Sequence, residues 1–333
     1  MQAQTNNVVT GRAAEIFNSA VAASAVGAAW ELGAFAELDE HGVLAVEDFA
    51  ARTDLHLGST TAMFAALASV GIVERDGEKI RTGPAFAEVY RSRPLFYWLC
   101  QGSAPLFSQM PKILRNANRV GQFYHRDAPA ISYASREANR LFFDPVFWTA
   151  MDNIGSDFTS VADLGSGSGE RLIKIAERYP EIRGLGLDIA QSTIDMAIGE
   201  VERHGMSDRI SFLAADVREL KPCPEFEEIE LLTCFMMGHD MWPREDCIAT
   251  LRRLRELFPN ARRFLLGDTV RTTGIPDTEV PIFTLGFEVG HALMGVYLPT
   301  LDEWHEVFAD CGWQRITTHV SDALAGTVVF ELA

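Results

Sequence analysis

The sequence has few basic residues for its length. Its 333 residues include 29 Lys and Arg against 46 Asp and Glu, which gives a formal net charge of −17. A protein that grips the phosphates of nucleic acid needs a surplus of cationic side chains. Binding to an anionic membrane surface has the same requirement. We therefore expect no nucleic-acid partner and no membrane partner.

Paired cysteines and long apolar runs are also missing. The five cysteines are scattered and include no C-x-x-C pair, which is typical of reduced thiols in a cytoplasmic protein. The longest apolar stretch near the N-terminus, residues 16–30, is too short and too weakly hydrophobic to span a bilayer. Residues 1–12 are polar and lack the basic start and apolar block of a secretory signal. We expect a cytoplasmic protein.

The first 95 residues resemble a winged helix in outline. Residues 13–38 are apolar nearly all the way round a helix, and such a helix is buried or pairs with a second subunit. Two short helices are predicted at Val46–Arg52 and Ser59–Val70. A hairpin follows over 72–81, with its tight turn at Asp76-Gly77. The pattern predicts a winged-helix-like domain over 1–95.

The charge of this domain argues against DNA binding. Residues 1–95 hold 7 basic and 12 acidic side chains, and the second helix of the pair has no Lys or Arg. Base readout and phosphate contacts both depend on donors and cations of this kind. A dimerisation platform is the better interpretation, so we expect a homodimer.

A parallel α/β domain is predicted after the aromatic-rich helical segment 96–150, which we assign as a connector lining the substrate pocket. From about residue 158, short apolar strands alternate with helices, and this alternation is typical of a parallel sheet. The predicted α/β domain, which follows the winged-helix-like domain and the connector, therefore covers 151–333. Its predicted strands are Val161–Leu164, Gly184–Ile189, Ile210–Ala215, Ile229–Phe235 and Phe264–Leu266, followed by an antiparallel pair, Trp313–Val320 and Thr327–Leu332.

A glycine-rich loop follows the first of these strands. Asp163 is followed by Gly165, Gly167 and Gly169, where glycines let the backbone approach a ligand closely. The dinucleotide fingerprint G-x-G-x-x-G requires glycine at position 170, which is Glu170 here, so the NAD pattern is absent.

Acidic residues end the next two strands. Asp188 lies 19 residues after Gly169, where a carboxylate can accept hydrogen bonds from ribose hydroxyls. Asp216, followed by Val217, ends the third strand and can meet an adenine amino group. Acids in register with the glycine loop indicate a nucleoside-binding crevice.

These residues resemble the class I S-adenosylmethionine (SAM)-dependent methyltransferases, in the two-domain, dimeric branch that includes plant and polyketide O-methyltransferases. The resemblance implies a Rossmann-like SAM-binding domain, with Asp163 and the glycines at the methionine part. It places Asp188 at the ribose and Asp216 at the adenine. Further cofactor contacts are assigned to Ile189, Val217 and Phe235.

The substrate half of the site departs from that branch. In the similar stretch of O-methyltransferases, a His-Asp-Trp sequence carries the general base. His239 and Asp240 fit this pattern, but Met241 is inserted before Trp242. The resemblance gives Asp268, at the end of the fifth strand, the role of orienting the base.

A second histidine changes the expected chemistry. Fold analogy places His291 opposite His239, and two imidazoles across one pocket suit a first-row metal. M-M-x-H-D and G-H-x-L-M, 52 positions apart, resemble the α-keto acid C-methyltransferases of peptide-antibiotic biosynthesis. This resemblance implies a non-haem metal on His239 and His291, with iron favoured over zinc. It implies methylation at C3 of a hydrophobic 2-oxo acid.

Two roles in this reaction are assigned by position and residue type. Asp240, beside the metal ligand, is a candidate to remove the C3 proton. Arg126 is the candidate for gripping the substrate carboxylate, because a guanidinium matches its geometry.

Two alternatives remain open. The first is a metal-independent O-methyltransferase with His239 as base and Asp268 orienting it. The second is a transcription factor that senses SAM, against which the acidic first domain argues.

Overall fold

The computed structural model describes residues 11–155 and 157–333. The chain divides into two compact units, of which the first ends at Ala138 and the second begins at Asn139. The division falls inside the segment 96–150 that the sequence assigned to a connector. The role of that segment in lining a substrate pocket stays a prediction.

The first unit is mainly helical, with a small antiparallel sheet in the order β1-β3-β2. Its core centres on Phe35, Phe49 and Phe64, all buried. A π-helical segment covers Trp98–Gly102 and a 3-10 turn covers Asn116–Asn118. The elements are α1 (Arg12–Glu31), α2 (Ala34–His41), β1 (Val43–Ala45), α3 (Val46–Arg52), α4 (Leu57–Ser69), β2 (Val73–Asp76), β3 (Lys79–Thr82), α5 (Phe86–Tyr97), α6 (Ala104–Ser108), α7 (Met110–Ile113) and α8 (Ala128–Ala138).

The single helix expected over residues 13–38 is wrong. The chain bends by 78° between α1 and α2, because Gly33 takes a left-handed conformation (φ +83°) that residues with a Cβ rarely adopt. The first half of α1 is exposed, whereas its second half packs Val26 and Ala29 into the core.

The predicted hairpin is present, but its turn lies one residue later, at Gly77-Glu78. Asp76 pairs with Lys79, and Gly77 supplies the positive φ (+63°) that the tight turn requires. Strand β1, which pairs with β3, was not predicted, since three residues carry too little alternation to be recognised. Across the described ranges, 11–155 and 157–333, no single helix combines the length and apolarity of a membrane span.

The second unit contains a seven-stranded sheet in the order β6-β5-β4-β7-β8-β10-β9, in which β10 runs antiparallel to both its neighbours. The predicted parallel α/β fold is therefore confirmed, with most strand ends within two residues of the prediction. The strands are β4 (Ser160–Leu164), β5 (Arg183–Asp188), β6 (Ile210–Ala214), β7 (Leu231–Phe235), β8 (Arg263–Thr269), β9 (Arg315–Val320) and β10 (Thr327–Leu332).

The helices cover this sheet and leave the carboxyl ends of its parallel strands at one edge. They are α9 (Asp144–Ile154), α10 (Glu170–Arg178), α11 (Gln191–Arg203), α12 (Arg244–Leu257), α13 (Thr284–Met294) and α14 (Leu301–Asp310). Strand order reverses at β4, with β5 on one side and β7 on the other. Ligands of open α/β sheets bind in the crevice at such a reversal, so the loops after β4, β5 and β7 define the site.

Candidate active site

The glycine loop joins β4 to α10 and exposes its backbone at one point. Gly165, Gly167 and Gly169 all have positive φ, between +54° and +74°. A Cβ at Gly169 would lie 2.7 Å from the Phe212 ring, and one at Gly165 would lie 3.2 Å from the Met237 side chain. A Cβ at Gly167 would meet nothing within 4 Å. The loop is therefore packed on two sides and open at Gly167, as a ligand cradle must be.

Asp188 closes the cradle from the end of β5. Its Oδ2 accepts the Gly167 N–H at 3.1 Å and its Oδ1 accepts the Ala190 N–H at 3.0 Å. Ile189, beside it, is 66% exposed. The Ser166 hydroxyl is buried and has no hydrogen-bond partner within the described part of the chain. A polar ligand with hydroxyl or amino groups fits these surroundings.

Asp216 is held by a neighbouring cation. Its Oδ1 accepts the Arg218 backbone N–H at 2.9 Å, and the Arg218 guanidinium binds both carboxylate oxygens at 3.0 and 2.8 Å. Arg218 therefore lowers the pKa of Asp216 from its usual value. Val217, the next residue, is buried. A contact of this pair with an adenine amino group stays a prediction.

Asp163 is a buried carboxylate at the base of the loop. It is 3% exposed and accepts the Thr233 hydroxyl hydrogen bond at 2.6 Å. Burial raises the pKa of Asp163 to about 6, although Arg171 and Thr233 act in the opposite direction. Phe235, at the end of β7, is also buried, with the Arg171 guanidinium 3.6 Å from its ring centroid.

His239 and Asp268 form a buried dyad. His239 lies in the 3-10 turn Gly238–Met241 after β7, and Asp268 is the last but one residue of the neighbouring strand β8. Asp268 accepts the His239 backbone N–H with Oδ2, and its Oδ1 lies 2.7 Å from Nδ1 of the ring. A carboxylate partner fixes the proton on Nδ1, so the neutral ring carries its lone pair on Nε2.

His291, on α13, lies against His239. The two ring centroids are 4.9 Å apart and the rings are perpendicular. Nδ1 of His291 lies 2.7 Å from the Phe287 carbonyl oxygen, which can only accept, so this ring also carries its lone pair on Nε2. Phe287 packs against both imidazoles. The structure thus brings together two histidines with the same tautomer.

Asp240 is not part of the buried dyad, and Arg126 belongs to the other unit. Asp240 is exposed, and its charge acts on Arg218 rather than being buried with its neighbour His239. Arg126 belongs to the first unit, where it is half-buried ahead of α8. Their predicted roles as base and carboxylate grip stay predictions. Within residues 11–155 and 157–333, no group of three or more His, Cys, Asp or Glu side chains is arranged to hold a metal ion.

Sequence reasoning missed three residues of this region. Gly238 lets Asp268 reach His239, Met237 packs against Gly165, and Arg171 contacts Phe235. Of these three residues, only Arg171 could have been recognised from the sequence, because it is a charged residue on the side of α10 that packs against the sheet.

Comparison with known proteins defines the class. A family model described as "Methyltransferase domain" matches residues 161–259. The chain is 49% identical over 327 residues to "Methyltransferase ungE'" of Aspergillus campestris, covering 96% of each chain. The structure of human N-acetylserotonin methyltransferase in complex with SAM superposes with a TM-score of 0.69 at 18% identity, covering 98% of this chain and 99% of the other.

The chain therefore belongs to the SAM-dependent methyltransferases with the two-domain, O-methyltransferase-like fold, and it is an enzyme of that class. It is also 29% identical over 157 residues to "Indolepyruvate C-methyltransferase" of Streptomyces griseus, covering 46% of this chain and 45% of that protein. The open glycine loop, the buried Ser166 hydroxyl and the Asp188 carboxylate fit SAM as the cofactor.

Proposed function

We propose that the enzyme transfers a methyl group from SAM to C3 of a hydrophobic 2-oxo acid. The reaction uses a metal ion that is held by His239 and His291, and iron is favoured over zinc as this metal. The observation that carries this proposal is the pair of buried imidazoles. The reaction would supply a β-methylated precursor, which suits the assembly of a non-ribosomal peptide.

The geometry of the pair supports a shared ion. Two imidazoles that bind one ion through Nε2 at ~2.1 Å have ring centroids about 5 Å apart, and the rings here are 4.9 Å apart. Each Nδ1–H is held by an oxygen acceptor, Asp268 for His239 and Phe287 for His291. Metal-binding histidines are usually oriented by such contacts. Two protein ligands leave coordination positions for the keto acid and water.

A carbon nucleophile is what makes a metal useful. When bound, such an ion supplies Lewis acidity that stabilises negative charge on the keto oxygen as C3 loses its proton. The C3 electron pair then forms a bond to the methyl carbon of SAM, and the methyl–sulfur bond breaks to give S-adenosylhomocysteine (SAH). The C3 proton leaves to a base. His239 and His291 hold the metal, and Asp268 keeps His239 oriented throughout.

The side chain of the keto acid is expected to be apolar. Phe287, Leu293 and Met294 are buried on α13 beside His291. A relative's name, indolepyruvate C-methyltransferase, describes a keto acid with an aromatic side chain. A bulky apolar side chain is compatible with both observations.

A metal-independent O-methyltransferase is the second candidate, and the dyad favours it. With its Nδ1–H bound to Asp268 at 2.7 Å, His239 has the tautomer that accepts a proton on Nε2. Deprotonating a phenol needs only such a base. His291 would then contribute packing alone.

The test is product mass spectrometry with SAM and a panel of phenylpyruvate, indolepyruvate, 4-methyl-2-oxopentanoate and simple phenols, with and without a chelator. The proposal expects one added methyl on an oxo acid, abolished by the chelator and restored by adding metal. His291→Ala should lose both this activity and the bound metal in elemental analysis.

The matched control is His204→Ala, which changes an exposed histidine of the second unit. This variant should retain metal and activity. Methylation confined to phenols and indifferent to the chelator would overturn the metal proposal and support the O-methyltransferase. Full oxo acid activity in a metal-free His291→Ala protein would also overturn it.

A further inference from the structure

A buried guanidinium lies directly behind the cofactor loop. Arg171 is the second residue of α10 and is 9% exposed. Its guanidinium carbon lies 3.6 Å from the Phe235 ring centroid and 4.7 Å from that of Phe147. A charge buried between aromatic rings is costly unless acids compensate it. Its acidic neighbours therefore explain why it is there.

Three carboxylates and two cations make up this cluster. Arg171 lies 3.7 Å from Asp144 on α9. Lys174 pairs with Asp144 at 2.8 Å and with Glu170 at 2.7 Å. Asp163, which accepts the Thr233 hydrogen bond, is the third carboxylate and interacts electrostatically with Arg171. The cluster carries one more negative charge than positive charge.

The cluster meets the cofactor loop at Asp163. This carboxylate is on the last but one residue of β4, two residues before the loop begins at Gly165. The methionine part of SAM carries an ammonium group, and an excess negative charge at this end of the loop complements it. The partners of Asp163 thus determine whether that charge is present and where it lies.

We propose that Arg171 is a positioning residue for the cofactor, which, from its buried place in this ion-pair cluster, keeps the Asp163 carboxylate in place to receive the ammonium group of SAM. Arg171 does this from behind the loop and also packs against the ring of Phe235 at the end of β7. The inference concerns cofactor binding and is independent of the metal and of the methyl acceptor.

The charges around Asp163 give the inference a pH signature. Burial raises the pKa of Asp163 to about 6, Arg171 on α10 and Thr233 on β7 lower it, and Asp188 on β5 raises it. For Arg171, burial lowers the pKa, whereas its neighbours, the three carboxylates of the cluster and Cys234, raise it. Below about pH 6 the Asp163 carboxylate becomes protonated and loses its attraction for an ammonium group. Removing Arg171 moves this loss to higher pH.

The experiment measures binding of SAH and of 5′-methylthioadenosine by calorimetry between pH 5.5 and 7.5. Methylthioadenosine has the nucleoside and the sulfur but lacks the amino acid. In the wild-type protein, the Kd for SAH should rise as pH falls through about 6, while that for methylthioadenosine stays constant. In Arg171→Met, the Kd for SAH should rise about tenfold at pH 7, which is the effect at that pH of a rise of about two units in the pKa of Asp163, and that for methylthioadenosine by less than about twofold.

The matched control is Arg178→Met on the same helix. Arg178 also pairs with an acid, Asp152, and stacks on a ring, that of Trp148, but it is exposed. This variant should bind SAH like the wild type at every pH. Arg171→Lys keeps the charge and should retain most of the SAH affinity.

Three results would overturn the inference. The first is that a folded Arg171→Met protein loses SAH and methylthioadenosine binding to the same extent. The second is that Arg171→Met binds SAH as tightly as Arg178→Met does. The third is that SAH binding by the wild type does not depend on pH. The last measurement needs no variant, so the test holds even if Arg171→Met does not fold.

Discussion

Gly238 packs against the carboxylate that orients His239. A Cβ at this position would lie 2.8 Å from Asp268 Oδ2, 3.1 Å from Leu266 and 3.3 Å from Trp304. Trp304 is fully buried, so it cannot move aside easily. Gly238→Ala should displace Asp268 or His239 and lower kcat by roughly a hundredfold, the cost of about 1 Å of misplacement. Steady-state kinetics with the identified acceptor checks this.

Gly199→Ala is the control for this change. Gly199 lies within α11, where an added Cβ meets nothing within 4 Å. This variant should keep full activity and unfold at a slightly higher temperature, because alanine favours a helix over glycine by about 1 kcal/mol. Full activity in a folded Gly238→Ala protein would contradict the packing argument.

The residue types and their spacing predicted only part of the site. The glycine loop and the acids that follow it are local patterns, so their positions could be recognised from spacing alone. The contact of His239 with His291 joins residues 52 positions apart, and only fold analogy linked them. Arg171 and Gly238 depend on side chains that the sheet brings together from other strands and helices, and no local pattern identifies such contacts.

At the scale of elements, α14 begins with a complete capping box. The Thr300 hydroxyl accepts the Glu303 N–H at 3.2 Å, and Glu303 Oε2 accepts the Thr300 N–H at 2.7 Å. This helix carries Trp304, which lies beside Gly238 next to the His239 and Asp268 pair. Thr300→Ala should lower the free energy of unfolding by about 1 kcal/mol, the usual value of an N-cap. Denaturant unfolding followed by circular dichroism measures this.

Thr61→Ala serves as the comparison. Thr61 is half-buried within α4, and its hydroxyl donates to the Leu57 carbonyl in a hydrogen bond at the surface. Its loss should change the unfolding free energy by less than about 0.5 kcal/mol. Equal effects of the two variants would mean that the cap contributes nothing beyond an ordinary surface hydroxyl.

The local sequence pattern predicted the boundaries of some helices and strands correctly and those of others incorrectly. The helix at Val46–Arg52 and the strand Thr327–Leu332 lie where periodicity and turn residues placed them. The long first helix was wrong because apolarity continues through Gly33, and only the backbone conformation there reveals the bend. Strand β1 forms because β3 pairs with it, which is a tertiary effect.

For the whole molecule, the exposed half of α1 is the clearest candidate for a subunit contact. Ile16, Phe17 and Val21 are 64%, 71% and 48% exposed. We predict a homodimer that buries these side chains, because exposed apolar groups clustered on one element favour association. Light scattering at micromolar concentration should give a dimer mass for the wild type and a monomer mass for Phe17→Glu.

Leu114→Glu tests whether any added charge has this effect. Leu114 is 64% exposed in the same unit but lies outside α1. This variant should remain dimeric. A monomeric wild type would contradict the prediction, and so would a dimeric Phe17→Glu.

The sequence by itself determined the class of this protein. Alternating strands and helices, the glycine loop and the acids ending successive strands are local features, and together they define a parallel α/β fold with a SAM site. Tertiary structure decided which side chains meet. It brought His291 to His239, placed Asp268 behind that pair and buried Arg171 behind the loop, because those contacts depend on strand order and helix packing rather than on neighbours along the chain.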